Sequence, residues 1–114
     1  MNKKIIMLVV AGVMTFATSV VEAGGWTLAS KVEVVYLHKH HGGYGVFQLG
    51  DMSYNSDNCS NMTYYVVSKQ NNPVFEEIYS LLLAAHVSGT KVKLWVSGCS
   101  PHNHPEIQHA KTFK

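Results

Sequence analysis

Residues 71–96 read NNPVFEEIYSLLLAAHVSGTKVKLWV, and the change of period inside this stretch decides the fold. Phe75, Ile78, Leu82 and Ala85 recur at the three- and four-residue spacing of one buried helical stripe, which Val74 and Leu81 widen. Asn72 is placed to cap that helix, with Pro73 at the first helical position, where its missing N–H costs nothing. Glu76 and Glu77 lie near the positive end of the helix dipole, and Gly89 is placed to stop the helix. From Lys91 the period becomes two: Val92, Leu94 and Val96 point inward, and Lys91, Lys93 and Trp95 outward. Tyr79 and Leu83 fall outside the stripe and are either incidental surface or contacts to a neighbouring subunit. His86, in the last turn, reads as a dipole-complementing cap rather than a catalytic group.

Three extended runs precede the helix: Trp26 to Lys39, Tyr44 to Leu49, and Met62 to Val67. In the first, Val32, Val34 and Tyr36 are expected on one face. In the third, Tyr64 and Tyr65 fall on opposite faces. A weaker run, Ile107 to Phe113, closes the chain, with Ile107 and Phe113 as its inward residues. The class is mainly β (α+β). The β-β-β-α-β-β order is what a small five-stranded OB-like Greek-key barrel requires, with one helix between the third and fourth strands. The loops after the first and fourth strands border the main binding surface of such barrels. In this chain both loops are rich in histidine.

The ends bound the argument. Residues 1–23 combine a basic start at Lys3-Lys4, an apolar run from Ile5 to Val13, and small or apolar residues at Val21 and Ala23. That is the pattern of a secretory signal peptide cleaved after Ala23, which leaves a single domain over residues 24–114. A membrane anchor is the alternative, but the run is short for a span of about 20 residues. The expected product is secreted or periplasmic. Export places Cys59 and Cys99 in an oxidising compartment, where a disulfide is the leading reading; a shared metal or a catalytic thiol are the others. Two glycosylation sequons, at Asn58 and Asn61, are read as chance.

Nine lysines and seven carboxylates fall to seven and six once Lys3, Lys4 and Glu22 leave with the leader, and there is no arginine. A nucleic-acid surface normally concentrates cationic charge and uses arginine forks, so that partner is disfavoured. The lysines are scattered along the chain. Lys91 and Lys93 share a strand face and read as a solvated edge.

His38, His40 and His41 follow the first strand, and His102 and His104 follow the fourth. If the two loops meet, His38, His40, His102 and His104 form a candidate site for zinc or copper; otherwise they are separate exposed rings, and no cofactor is expected. Catalysis is not expected either. No serine has the setting of a strained strand-to-helix elbow, and phosphate-binding loops are absent. A ligand surface has more behind it. Trp95 on an outward strand face, with Tyr44 and Tyr65 near loops, are candidate contacts for a glycan or a protein partner; Tyr54 is a further exposed candidate.

Several stretches carry a family likeness: Trp26-Thr27; Val34-Val35-Tyr36-Leu37-His38; Cys59; Ser68-Lys69-Gln70; Phe75; Ala84-Ala85; Ser88-Gly89; and Lys91-Val92-Lys93-Leu94. On these the chain resembles the exported B subunits of pentameric A–B toxins of the subtilase-cytotoxin and typhoid-toxin type, and related uncharacterised exported bacterial proteins. The resemblance implies an OB-type fold, a homo-oligomeric ring with helices lining its centre, and host-glycan binding. This chain is shorter, offers one disulfide, and ends soon after the last strand, so no sugar-contacting serine of the family is carried over. The expectation is an exported glycan- or protein-recognising module that forms a ring. The alternatives are a periplasmic metal-binding protein using the two His loops, and an inhibitor or immunity-type partner of another exported protein.

Overall fold

The computed structural model describes residues 12 and 23–113. The expected signal peptide therefore lies outside the described residues, apart from positions 12 and 23. Among the described residues the protein is mainly β: six strands in one sheet with one α-helix. In order these are β1 (Gly25–Trp26), β2 (Ser30–His38), β3 (Tyr44–Leu49), β4 (Tyr65–Ser68), α1 (Phe75–Ser88), β5 (Lys91–Cys99) and β6 (Pro105–Thr112). Antiparallel pairings join β2 to β3, β3 to β4, β5 to β6, and β5 to both β1 and β2. Among the described residues one pairing is parallel, β4 to β6, at Val66 opposite Glu106. No helix among the described residues is long and apolar enough to cross a membrane.

The core gathers the inward residues of every long strand under the helix. Phe47, Tyr65, Val67, Leu82, Val92, Leu94 and Val96 are fully buried there, and Ile78 and Ala85 seal it from the helix side. Thus the inward residues read for the fourth strand and the centre of the helical stripe hold. Gly89 ends α1 in the left-handed region at φ 71°, with its N–H and that of Thr90 both donating to the Ala85 carbonyl.

Several expectations fail for local reasons. The first extended run is two strands, because residues 27–29 leave the ladder while Thr27 turns inward and is buried. Within β2 the register slips by one residue between Val32 and Val34. That extra residue inverts the parity, so Val32 is buried and Val35 packs on the core, while Tyr36 emerges on the opposite face, 38% exposed. A similar slip occurs where Trp95 pairs with His109 but Val96 pairs with Ile107. Ile107 is buried and Ala110 follows it inward, which turns Phe113 out to 40% exposure.

At the helix start the cap position falls to Val74, whose side chain makes no capping hydrogen bond. Asn72 is buried instead, donating to the carbonyls of Ile107 and Gln108 at 3.2 and 3.4 Å and accepting from the Val74 N–H at 3.0 Å. Anchoring to β6 shifts the first helical residue from Pro73 to Phe75. Tyr79 is partly buried rather than incidental surface, its ring packed against Phe47 and Phe75 at 6.2 and 6.3 Å. His86 does more than complement the dipole: a ring nitrogen lies 2.8 Å from the Val32 carbonyl and ties the helix end to β2.

Candidate functional site

Strands β3 and β4 are buried on both faces, which creates the site. Inward lie Phe47, Tyr65 and Val67; outward, Tyr44, Val46 and Val66 form a second small cluster against Tyr64. A sheet face that is apolar but not covered by the helix must be covered by loops. Two loops approach it. One is the 3-10 turn His40–Gly42 after β2, whose positive φ values at His41, Gly42 and Gly43 (55°, 85° and 94°) fold it back sharply. The other is the Ser100–His104 turn after β5, closed by Asn103 N–H to the Ser100 carbonyl at 2.8 Å and Ser100 N–H to the His104 carbonyl at 2.7 Å.

Between them lies a cleft of about 240 Å³ lined by Tyr36, His38, Tyr44, Val46, Asn61, Val66, Ser100, His102 and His104. The disulfide Cys59–Cys99, with its Cα atoms 5.6 Å apart, braces one wall. It places Asn61 beside the Ser100–His104 turn. Asn61 donates its N–H to the Asn103 carbonyl at 3.0 Å and offers its own carbonyl to a His104 ring nitrogen at 3.2 Å. On the opposite side the Tyr44 hydroxyl donates to the Glu106 carboxylate at 3.0 Å.

The two histidine loops do meet. His102 lies edge-on to His38 and His41 at 5.5 and 5.1 Å, and His38 meets His40 at 5.1 Å. His104 turns instead to Tyr64, at 5.7 Å. Among the described residues no group of three or more His, Cys, Asp or Glu is placed to hold a metal ion. The convergence of the two histidine loops is thus part of the structure.

The cleft is partly shielded from water, and its titratable groups register this. Desolvation, then the neighbouring His40, His102 and His41, lowers the pKa of His38. Desolvation likewise outweighs the Asn61 hydrogen bond and lowers that of His104. Desolvation raises the Tyr44 hydroxyl, with the Glu106 carboxylate adding to it, and raises the Tyr36 hydroxyl, with Tyr64 adding. Near neutral pH these depressed values favour uncharged imidazoles at His38 and His104 beside neutral phenols.

The three candidate ligand aromatics separate. Tyr44 lines the cleft. Tyr65 does not: it is fully buried, its hydroxyl donates to the Tyr54 carbonyl at 2.8 Å, and burial pushes its pKa up to about 12. As a core residue it is withdrawn as a ligand contact. Trp95 is half-buried away from the cleft, edge-on to Trp26 at 5.5 Å and near His109 at 6.5 Å. The residues not anticipated are Tyr36, Asn61 and Ser100, with Tyr64 and Glu106 behind them. Tyr36 was signalled by its two-residue spacing from His38. Asn61 and Ser100 were signalled by their closeness to the two cysteines, since a bridge between Cys59 and Cys99 must bring them together. Comparison with protein-family models, curated proteins and solved structures finds no match to this chain.

Proposed function

We propose that this chain is an exported glycan-binding module with an OB-like Greek-key barrel, its ligand seated in the cleft between the two histidine loops. The barrel reading rests on the pairing circuit β2–β3–β4–β6–β5, which returns to β2 through Lys31 opposite Lys91. The β4–β6 step is parallel, and α1 stands between β4 and β5. Export accounts for the signal-like residues 1–23, and the Cys59–Cys99 bridge is consistent with an oxidising compartment.

One observation carries the ligand class. The cleft joins an aromatic and aliphatic wall (Tyr36, Tyr44, Val46, Val66) to amide, hydroxyl and imidazole groups (Asn61, Ser100, His102, His104). A saccharide offers that same pair of surfaces, a C–H face and a rim of hydroxyls. The volume, below the roughly 300–1,000 Å³ of sites for larger ligands, suits about one sugar ring. Assembly into a ring, as the toxin-subunit resemblance implies, belongs to the same proposal; Leu83 and Val87, 38% and 80% exposed on α1, are its helix-side candidates.

The test is a saccharide array with the oxidised protein, followed by calorimetry on the sugar retained best. Tyr36→Ala should weaken that binding about tenfold or more, the usual cost of removing a central aromatic contact. Trp95→Ala, outside the cleft, should leave it unchanged. A blank array, or equal binding by Tyr36→Ala, overturns the reading, and co-purification of a tight protein partner would redirect it. Light scattering on the same sample reads the ring: a monomer removes assembly from the proposal and leaves the sugar site to stand on calorimetry.

A further inference from the structure

The sheet register gathers lysines that the sequence scatters. Lys31 lies directly opposite Lys91 across β2 and β5, and Lys93 lies directly opposite Lys111 across β5 and β6. Directly opposed residues of antiparallel strands share a face, as do residues two apart on one strand. All four ammonium groups therefore stand on one outer face, with Val92 and Leu94 buried behind them. Lys31, Lys91 and Lys111 are exposed and Lys93 partly so. Among the described residues none of the four has a carboxylate within ion-pair distance. Like charges set directly opposite one another destabilise a sheet, and this chain does so twice on adjoining ladders.

The aromatic residues beside them share the arrangement. Lys111 Nζ lies 4.2 Å from the centre of the Trp26 ring, and Lys93 Nζ lies 5.9 Å from that of Phe113. Trp26 and Trp95 are opposed across β1 and β5, with His109 opposite Trp95 on β6. The tryptophans are half-buried and a lysine lies over the Trp26 ring, so the face offers little apolar surface to wedge into a bilayer.

We infer that this face is a second binding surface, distinct from the cleft, for an extended anionic polysaccharide bearing carboxylate or sulfate groups. Paired ammonium groups on a broad sheet match closely spaced anions along a flexible chain, and the flanking indoles match the C–H faces of its sugar rings. Lysine gives point charges without the planar fork that reads phosphate or base edges, which sets this polyanion ahead of nucleic acid. Unlike the cleft reading, it needs no ring assembly and no neutral-sugar ligand.

Heparin is the probe, with neutral dextran, a single-stranded oligothymidylate, and vesicles of phosphatidylcholine and phosphatidylserine as comparators. The protein should bind heparin with an affinity that falls steeply with salt, ignore neutral dextran, and bind the other two anions more weakly. Lys93→Glu with Lys111→Ser should weaken heparin binding about tenfold or more at 150 mM salt, because of the four opposed charges one is removed and another reversed. Lys39→Glu with Lys69→Glu, charges outside this face, should change it less than threefold, on the order of half a decade. Relief of the like-charge opposition should leave the melting temperature of the first variant equal or higher, so lost binding is not lost folding. Equal loss in both double variants would mean diffuse ion exchange and overturn the inference. Tighter binding to the oligonucleotide or to vesicles overturns the assignment of partner. Heparin binding that survives Tyr36→Ala keeps this face separate from the cleft.

Discussion

Reducing the Cys59–Cys99 bridge should disable the cleft before it unfolds the protein. The bridge spans 40 residues of sequence. Closing a loop of that length restricts the unfolded chain by about 4 kcal/mol at 25 °C in the chain-entropy model. A domain of this size loses about 4–8 °C of melting temperature per kcal/mol, so reduction should cost roughly 15–30 °C. With a typical total stability of about 5–15 kcal/mol, the fold survives at room temperature. Locally, hydrogen bonds keep part of the segment in place: Asn55 brackets the Cys59 backbone at 2.8 and 2.9 Å, and Asp57 accepts from the Gly98 N–H at 2.7 Å. The wall formed by Asn61 and the Ser100–His104 turn has the bridge plus a few part-buried hydrogen bonds and no strand ladder of its own, so it should loosen first. Cys99 is exposed and Cys59 buried, so a reductant enters from the Cys99 side. The assay is thermal unfolding by circular dichroism, oxidised, reduced, and as Cys59→Ala/Cys99→Ala, with amide exchange followed at Asn61, Asn103 and His104. A loss below about 5 °C would refute the entropic argument. Unchanged exchange at those three amides would refute the bridge as brace of the cleft.

Two further outcomes follow from the same contacts. Tyr65→Phe leaves the part-buried Tyr54 carbonyl without its partner and should cost about 1 kcal/mol without altering binding in the cleft; a binding loss at unchanged stability would return Tyr65 to the ligand surface. Acidification should destabilise the fold. His38 and His104 have lowered pKa values, so below about pH 6.5 the unfolded chain takes up protons that the folded chain resists, and stability rises with pH through that window. Urea midpoints at pH 7.5 and 5.0 read the effect above the range in which Asp51, lowered by its Ser53 hydrogen bonds, would contribute in the same direction. A midpoint that rises at pH 5.0 contradicts the sign.

What the sequence made legible was whatever a fixed period carries. The Phe75-Ile78-Leu82-Ala85 stripe, the Gly89 stop, the inward Val92-Leu94-Val96 row and the opposed Tyr64 and Tyr65 follow from spacings of 3.6 and 2, and the structure keeps each, while Val74, read as widening the stripe, is 43% exposed. What it hid were the interruptions of period. The slip between Val32 and Val34 exchanges one valine for another across the sheet, and no change in residue class marks it. Yet that slip brings Tyr36 to the outer face with His38 and so supplies one wall of the cleft. The exchange of Asn72 from cap to β6 anchor was hidden for a related reason, since an asparagine before Pro73 satisfies the helix-start pattern whichever backbone it bonds.

Register also explains why charge was the least legible property of all. Read along the chain, Lys31, Lys91, Lys93 and Lys111 are ordinary solvated residues, and near-neutral composition argues against any cationic surface. Read across the ladders, they are two directly opposed pairs on one face, an arrangement with a folding cost that solvation alone does not require. Opposition of this kind depends on pairings between residues as much as 60 positions apart in sequence, Lys31 with Lys91, and cannot be inferred from either strand by itself. Three of the six described carboxylates are held elsewhere: Asp57 on the Gly98 N–H, Asp51 on Ser53, and Glu106 on the Tyr44 hydroxyl. Each of those acids has a backbone or side-chain partner, whereas the four lysines have none that is anionic among the described residues. A domain that leaves two pairs of bases opposed on one sheet face, with no carboxylate among the described residues within ion-pair distance of them, is poised for an anion from outside.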